Sequence, residues 1–100
     1  MDKNGYPEES ELKKIREWDI YKVPELMEYI EERWKYADCG YWQEIEKNKK
    51  IQWLISTAGW SGNEDIIDAM MNNTMFWMLC WVQTSRGGHY IFELSRGNDG

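Results

Sequence analysis

The chain has 100 residues, which is the length of one domain, and its seven Trp, six Tyr and two Phe can form a core without disulfides or metal. Its 18 acidic and 12 basic residues give a net charge of −6. Such a surface repels phosphate backbones, so nucleic-acid binding is disfavoured.

No apolar segment follows Met1, and the longest apolar run, Met75–Val82, is far shorter than the roughly 20 residues that cross a bilayer. We therefore expect no membrane contact and no secretory signal. Two separated cysteines, Cys39 and Cys80, are too few for a disulfide scaffold. The sequence predicts a cytoplasmic protein with reduced thiols.

The first half predicts two helices behind a loose N-terminal arm, residues 1–9. A short helix is expected from Ser10 to about Glu17. Pro24 suits the first turn of a second helix, residues 24–37, because its missing N–H would be unpaired there in any case. The apolar face of that helix is formed by Leu26, Met27, Ile30 and Trp34.

A pair of strands is predicted around the polar turn 46–50. Alternation of apolar and polar residues over 51–57 indicates a strand, and 41–45 is a weaker strand candidate. A third helix is expected to begin at Ser61, where Ser61 and Glu64 fit a capping box and Asn63 is an alternative cap. Asn72 and Asn73 are expected to end this helix in left-handed geometry.

The segment Thr74–Thr84 is apolar at nearly every position, which predicts a strand buried on both faces at the centre of the sheet. Residues 85–88 read as a hairpin turn into a last strand, 89–95, and residues 96–100 as a polar tail. A two-residue hairpin loop would pair Trp81 with Phe92 and Leu79 with Leu94.

These elements predict a single α+β domain over residues 1–100 with the order α-α-β-β-α-β-β. About three helices would pack on a small four-stranded sheet, antiparallel or mixed.

The sequence contains no recognisable catalytic or metal-binding constellation. His89 is the only histidine, and a dyad with Cys80 would need both on one face of the sheet. One His with two separated Cys is a poor zinc site. Glycine-rich phosphate loops are absent too, so we expect no cofactor and no metal.

Polar and aromatic residues cluster at two turns. The candidate binding residues are Trp60, Asn63, Glu64, Arg86, His89 and Tyr90. The two turns would lie at the same end of the sheet if the strands 51–57 and 74–84 run parallel. A small anionic ligand could then stack on Trp60 and be held by Arg86.

An apolar face on the sheet would need cover from elsewhere, and a two-fold homodimer is the expected solution. The predicted interface residues are Phe76, Met78, Val82 and Ile91.

Three motifs resemble those of small uncharacterised proteins encoded by tailed phages and prophages. They are the turn Gly59–Glu64 (Gly-Trp-Ser-Gly-Asn-Glu), the dipeptide Phe76–Trp77, and the hairpin Arg86–Tyr90 (Arg-Gly-Gly-His-Tyr). The resemblance covers about residues 55–94. It implies an accessory phage gene product that acts in the host cytoplasm, and it implies no activity, substrate or catalytic residue.

The leading functional hypothesis is a non-catalytic phage accessory protein that binds a host or phage macromolecule, above all a protein, with counter-defence as a narrower version. The alternative is a protein that binds a small nucleotide or sugar in a pocket lined by Trp60 and Arg86. A small enzyme of unknown reaction is the third hypothesis. A deep pocket at Trp60 and Arg86 favours a ligand, whereas an exposed apolar face favours a partner.

Overall fold

The computed structural model describes residues 5–95, so the predictions for residues 1–4 and for the tail 96–100 lie outside the described residues. The helices are α1 (Glu9–Arg16), α2 (Val23–Glu31), α3 (Ser61–Asn72) and α4 (Thr74–Cys80). The strands are β1 (Trp42–Lys47), β2 (Lys50–Ser56), β3 (Trp81–Ser85) and β4 (His89–Ser95). Short 3-10 turns lie at Ile20–Lys22 and Ala37–Cys39. The predicted α+β class is confirmed, with one helix more than expected.

The four strands form one antiparallel sheet in the order β1-β2-β4-β3. The predicted polar turn joins β1 to β2 through Asn48 and Lys49, both of which have positive φ. Two successive left-handed residues give a turn whose twist matches that of the flanking strands. The tight hairpin therefore follows from these two residues.

One face of the sheet carries the core. Ile51, Trp53 and Ile55 of β2 are buried, whereas the alternating Gln52 and Leu54 are only partly buried. The helices supply the other side of the same apolar cluster, including Ile15, Leu26, Ile66 and Phe76. The second face, which carries Gln52, Leu54 and Ile91, is not covered by the helices of the chain.

The segment 74–84 is not a central strand. Residues 74–80 form α4, and only Trp81–Ser85 form a strand, which lies at the edge of the sheet. The strand at the centre of the core is β2 instead. The helical turn sends Phe76 and Cys80 into the core and leaves Met75 and Met78 in solvent.

Asn73 explains why this apolar segment begins as a helix. Its Oδ1 accepts a hydrogen bond from the backbone N–H of Phe76 at 3.3 Å, which caps α4. Its Nδ2 donates to the carbonyl oxygens of Ile15 at 3.0 Å and Trp18 at 3.3 Å. Asn73 is almost fully buried and has φ −88°, so it ends α3 without the left-handed geometry that we expected.

The hairpin between β3 and β4 has a three-residue loop, since Ser85 pairs with His89. A bulge between Trp81 and Gln83 then shifts the register by one residue, which offsets the extra residue of the loop. The predicted pair Trp81–Phe92 is therefore confirmed. The predicted pair Leu79–Leu94 is wrong, because Leu79 lies in α4 and not in a strand.

The second helix is shorter than the predicted 24–37 and ends at Glu31. Its predicted apolar face is nevertheless buried, and Trp34 reaches the core from the turn beyond the helix. The indole Nε1 of Trp34 donates to the carbonyl oxygen of Ser56 at 3.0 Å, which fixes this turn against the end of β2.

Replacing Asn73 by alanine tests its capping role. Asn73→Ala should lower the free energy of unfolding by about 2–4 kcal/mol, because it removes the α4 cap and the donor to the Trp18 carbonyl oxygen. The Ile15 carbonyl oxygen keeps its hydrogen bond from the backbone N–H of Trp18. Urea unfolding followed by circular dichroism measures the loss. Asn72→Ala is the matched control and should cost less than about 0.5 kcal/mol, since Asn72 is exposed. Equal stability of the two variants would show that Asn73 does not hold this junction.

Candidate functional site

The two turns singled out from the sequence lie at the same end of the sheet. Strands β2 and β3 run in the same direction on either side of β4, so the residues that follow them meet. The backbone N–H of Thr57 donates to the carbonyl oxygen of Gly88 at 3.0 Å. Ser56 Oγ also hydrogen-bonds His89 Nδ1, a contact that the sequence reasoning missed.

Trp60 is folded onto the start of α3. Its indole lies over Gly62, where a Cβ would come within 2.6 Å of Trp60 Nε1. Tyr6 stacks on the indole with ring centroids 4.6 Å apart, and Lys35 Nζ lies 4.5 Å from the ring centroid. The part of the predicted loose arm that the structure describes is therefore packed against this turn, and Trp60 already has neighbours that would compete with a stacked ligand.

Asn63 is fully buried and acts within the fold. Its Oδ1 accepts from the backbone N–H of Lys35 at 2.9 Å, and its Nδ2 donates to the carbonyl oxygens of Lys35 at 3.1 Å and Thr57 at 3.3 Å. Ser61 is the first helical residue instead of the cap, and its hydroxyl donates to Tyr6 Oη at 3.2 Å. The predicted capping box at this helix is therefore wrong.

The three candidates of the second turn, Arg86, His89 and Tyr90, lie just before and at the start of β4. Arg86 and His89 are exposed, while Tyr90 packs edge-on against Trp77 with centroids 6.3 Å apart. Burial raises the pKa of the Tyr90 phenol, and the carboxylates of Asp68 and Glu64 raise it further. Tyr90 thus lies at the edge of the core, whereas Arg86 and His89 line none of the three cavities described below.

A Cys80–His89 dyad is not formed. Cys80 lies in the helix layer, and His89 shares the open face of the sheet with Ser56. Burial raises the pKa of the Cys80 thiol to about 11, so the thiol is protonated at neutral pH. Cys80 is a small apolar residue of the core.

The predicted interface residues do not form one surface. Phe76 is fully buried inside its own core, so its assignment to an interface is wrong. Ile91 is on the open face of the sheet, beside Leu54, with which it pairs. Only Met78 and Val82 lie on the exposed side of the α4 segment.

Exposed apolar side chains around α4 form the most unusual surface of the described residues, which we call the α4 face. Met75, Met78 and Leu79 share one side of the helix, opposite Phe76 and Cys80. Met71 near the end of α3, and Trp81 and Val82 directly after α4, are exposed as well. The complete set is Met71, Met75, Met78, Leu79, Trp81 and Val82, with exposed fractions between 42% and 79%.

The sequence carried a signal for this surface. Residues 75, 78, 79 and 82 follow the i, i+3, i+4, i+7 spacing of a helix face, and Asn73 stands three residues before Phe76 as a cap would. The same run also fits the two-residue period of a strand. Because nearly every residue of the run is apolar, the sequence does not distinguish the helical period from the strand period. No charged residue occurs between Asp68 and Arg86, so the segment that carries this surface is uncharged as well as apolar.

Three surface cavities of about 310–320 Å³ lie elsewhere, and none of these three is lined by Trp60 or Arg86. One is a cleft between α2 and the sheet whose walls carry five glutamates: Glu25, Glu28, Glu31, Glu44 and Glu46. Burial raises the pKa of Glu31, and Glu44 and Glu28 raise it further. This cleft favours cations in general without defining a ligand.

Within residues 5–95, no cluster of three His, Cys, Asp or Glu side chains is arranged to hold a metal ion. Helices long and apolar enough to span a membrane are likewise not found in that part of the chain. Comparison of the chain with protein-family models, with curated proteins and with solved structures finds no match.

The close packing of the two turns can be tested at two glycines with positive φ. A Cβ at Gly88 would come within 2.3 Å of Thr57 Oγ1, whereas a Cβ at Gly59 meets nothing within 4 Å. Gly59→Ala should cost only the backbone strain of about 1–2 kcal/mol. Gly88→Ala should cost at least about 1 kcal/mol more, because the clash adds to the strain. Thermal unfolding of both variants measures the difference, and equal losses would mean that the turns are not in contact.

Proposed function

We propose that this protein is a non-catalytic binding protein that acts by contact with another protein through the α4 face. One observation carries the proposal: six large apolar side chains lie exposed around one seven-residue helix, in a chain that is otherwise densely charged. Clustered apolar exposure of this kind is unusual on a monomer and marks interaction surfaces.

Energetics support a contact of this type. Burying apolar surface contributes roughly 25 cal/mol for each Å² removed from water, so a partner that covers these side chains gains several kcal/mol. Three of the six residues are methionines, Met71, Met75 and Met78, whose flexible and polarisable side chains adapt to a partner surface. The absence of charge from residue 69 to residue 85 means that no ion has to be desolvated at the centre of the contact.

The small-ligand alternative has less support. Stacking on Trp60 would compete with Tyr6 and Lys35, and Asn63 already makes three hydrogen bonds to the backbone. An enzymatic role would have to use the Ser56–His89 pair, which lies on the open face of the sheet, with Ser56 half-buried and His89 exposed. Neither arrangement supplies the convergent polar pocket that a ligand or a substrate requires.

The biological setting follows from the sequence resemblance alone. The turns Gly59–Glu64 and Arg86–Tyr90 support an accessory phage protein that binds a host or phage protein in the host cytoplasm. Counter-defence is a narrower form of the same proposal. Mimicry of nucleic acid is less well supported, because 13 acids are mixed with 10 bases in residues 1–50.

Affinity capture tests the proposal. Tagged protein, produced in bacterial cells together with an untagged copy, should retain a near-stoichiometric protein, either that copy or a protein of the cell. Met78→Glu should release it, because the new carboxylate would be buried in the contact. Tyr21→Glu is the matched control, since Tyr21 is 91% exposed but lies outside the α4 face.

Two outcomes would contradict the proposal. Wild-type protein that retains nothing has no stable partner, and equal recovery with Met78→Glu would place the contact on another surface.

A further inference from the structure

We infer that the occupant of the α4 face is a second copy of this chain, joined to the first across a two-fold axis. The inference rests on the proposed function, because it names the partner of the same surface. Three properties of the molecule point to self-association: the distribution of charge, the area of the α4 face, and the shape of the neighbouring edge strand.

Charge is the first property. A chain with a net charge of −6 repels its own copies, so an uncharged surface favours their contact because it adds no like charges at the interface. The seventeen residues between Asp68 and Arg86 are the longest uncharged stretch of the sequence, and they include the whole α4 face. Two such faces can come together without opposing like charges at the centre of the contact.

Area is the second property. Side chains of this size expose roughly 150–200 Å² each when free, so their exposed fractions give the α4 face roughly 500–700 Å². Two copies that cover the whole face of each other would bury roughly 1,000–1,400 Å², which reaches the roughly 1,000 Å² that a specific interface needs. The apolar and uncharged composition is that of homodimer interfaces, whose centres are depleted in charged residues.

Shape defines how the copies meet. Strand β3 is at the edge of the sheet, where a second copy could in principle add its own β3. The bulge between Trp81 and Gln83 opposes such pairing, because bulges distort the row of donors and acceptors on an edge. Contact through the helices is therefore favoured: α4 of one copy packs on α4 of the other, with Met78 in both contact surfaces.

The size of the complex in solution tests the inference. Sedimentation equilibrium of the purified chain should give a dimer at roughly 100 µM, a concentration at which even a weak specific dimer forms. Met78→Glu should weaken the dimer at least about 100-fold, because each copy would bury an unpaired charge. Leu79→Lys repeats the test with a charge of the opposite sign, Tyr21→Glu should leave the dimer intact, and circular dichroism establishes that each variant is folded.

Salt distinguishes a second copy from a basic partner. Added NaCl screens the repulsion between two acidic copies, so the dimer should hold or strengthen as ionic strength rises. A contact with a basic protein would weaken under the same conditions.

A monomeric wild type at roughly 100 µM, a concentration at which even a weak specific dimer forms, would overturn the inference. A dimer that both folded charge variants leave intact would also overturn it. If the wild type is monomeric but captures a cellular protein that Met78→Glu loses, only the homodimer fails and the binding function stands. If the wild type is monomeric and captures nothing, both proposals fail.

Discussion

The hydrogen bonds of the Asn73 side chain connect the parts of this fold that the sequence keeps far apart. The amide reaches back to the carbonyls of Ile15 and Trp18 and forward to the N–H of Phe76, so α1, the end of α3 and the start of α4 share one buried residue. Because Asn73 starts a new helix at residue 74, the apolar run that follows is divided between inside and outside. Phe76 and Cys80 enter the core, and the α4 face remains in solvent.

Much of the fold could be predicted from local patterns. The alternation over residues 51–57, the polar turn before it and the hairpin at residues 85–88 each specify their structure through side-chain period or turn chemistry. Thr74–Thr84 could not be assigned in this way, because a run of apolar residues satisfies both the helical and the extended period. Contacts distant in sequence, those of Asn73 with α1, decide the outcome, and no local pattern contains them.

In the candidate site, too, the position of the turns could be predicted from the sequence, whereas the contacts of their side chains could not. The meeting of the Trp60 and Arg86 turns could be predicted from the length of the connection between the strands, and Thr57 does contact Gly88. What each side chain does there could not be predicted. Asn63 reads from the sequence as a helix cap, yet it is buried against the turn at Lys35, and the arm residue Tyr6 covers Trp60. Phe76 and Met78 are two residues apart and were assigned to one interface, although the helix separates them completely.

We propose that the α4 face is the binding surface of the protein and that a second copy of the chain covers it. Carbon-13 labelling of the methionine methyl groups tests it directly, because Met75 and Met78 lie on that face while Met27 and Met70 are buried in the core. On dilution, the methyl resonances of Met75 and Met78 should move as the contact dissociates, and those of Met27 and Met70 should stay in place. Resonances of Met75 and Met78 that do not change at any concentration would contradict the account.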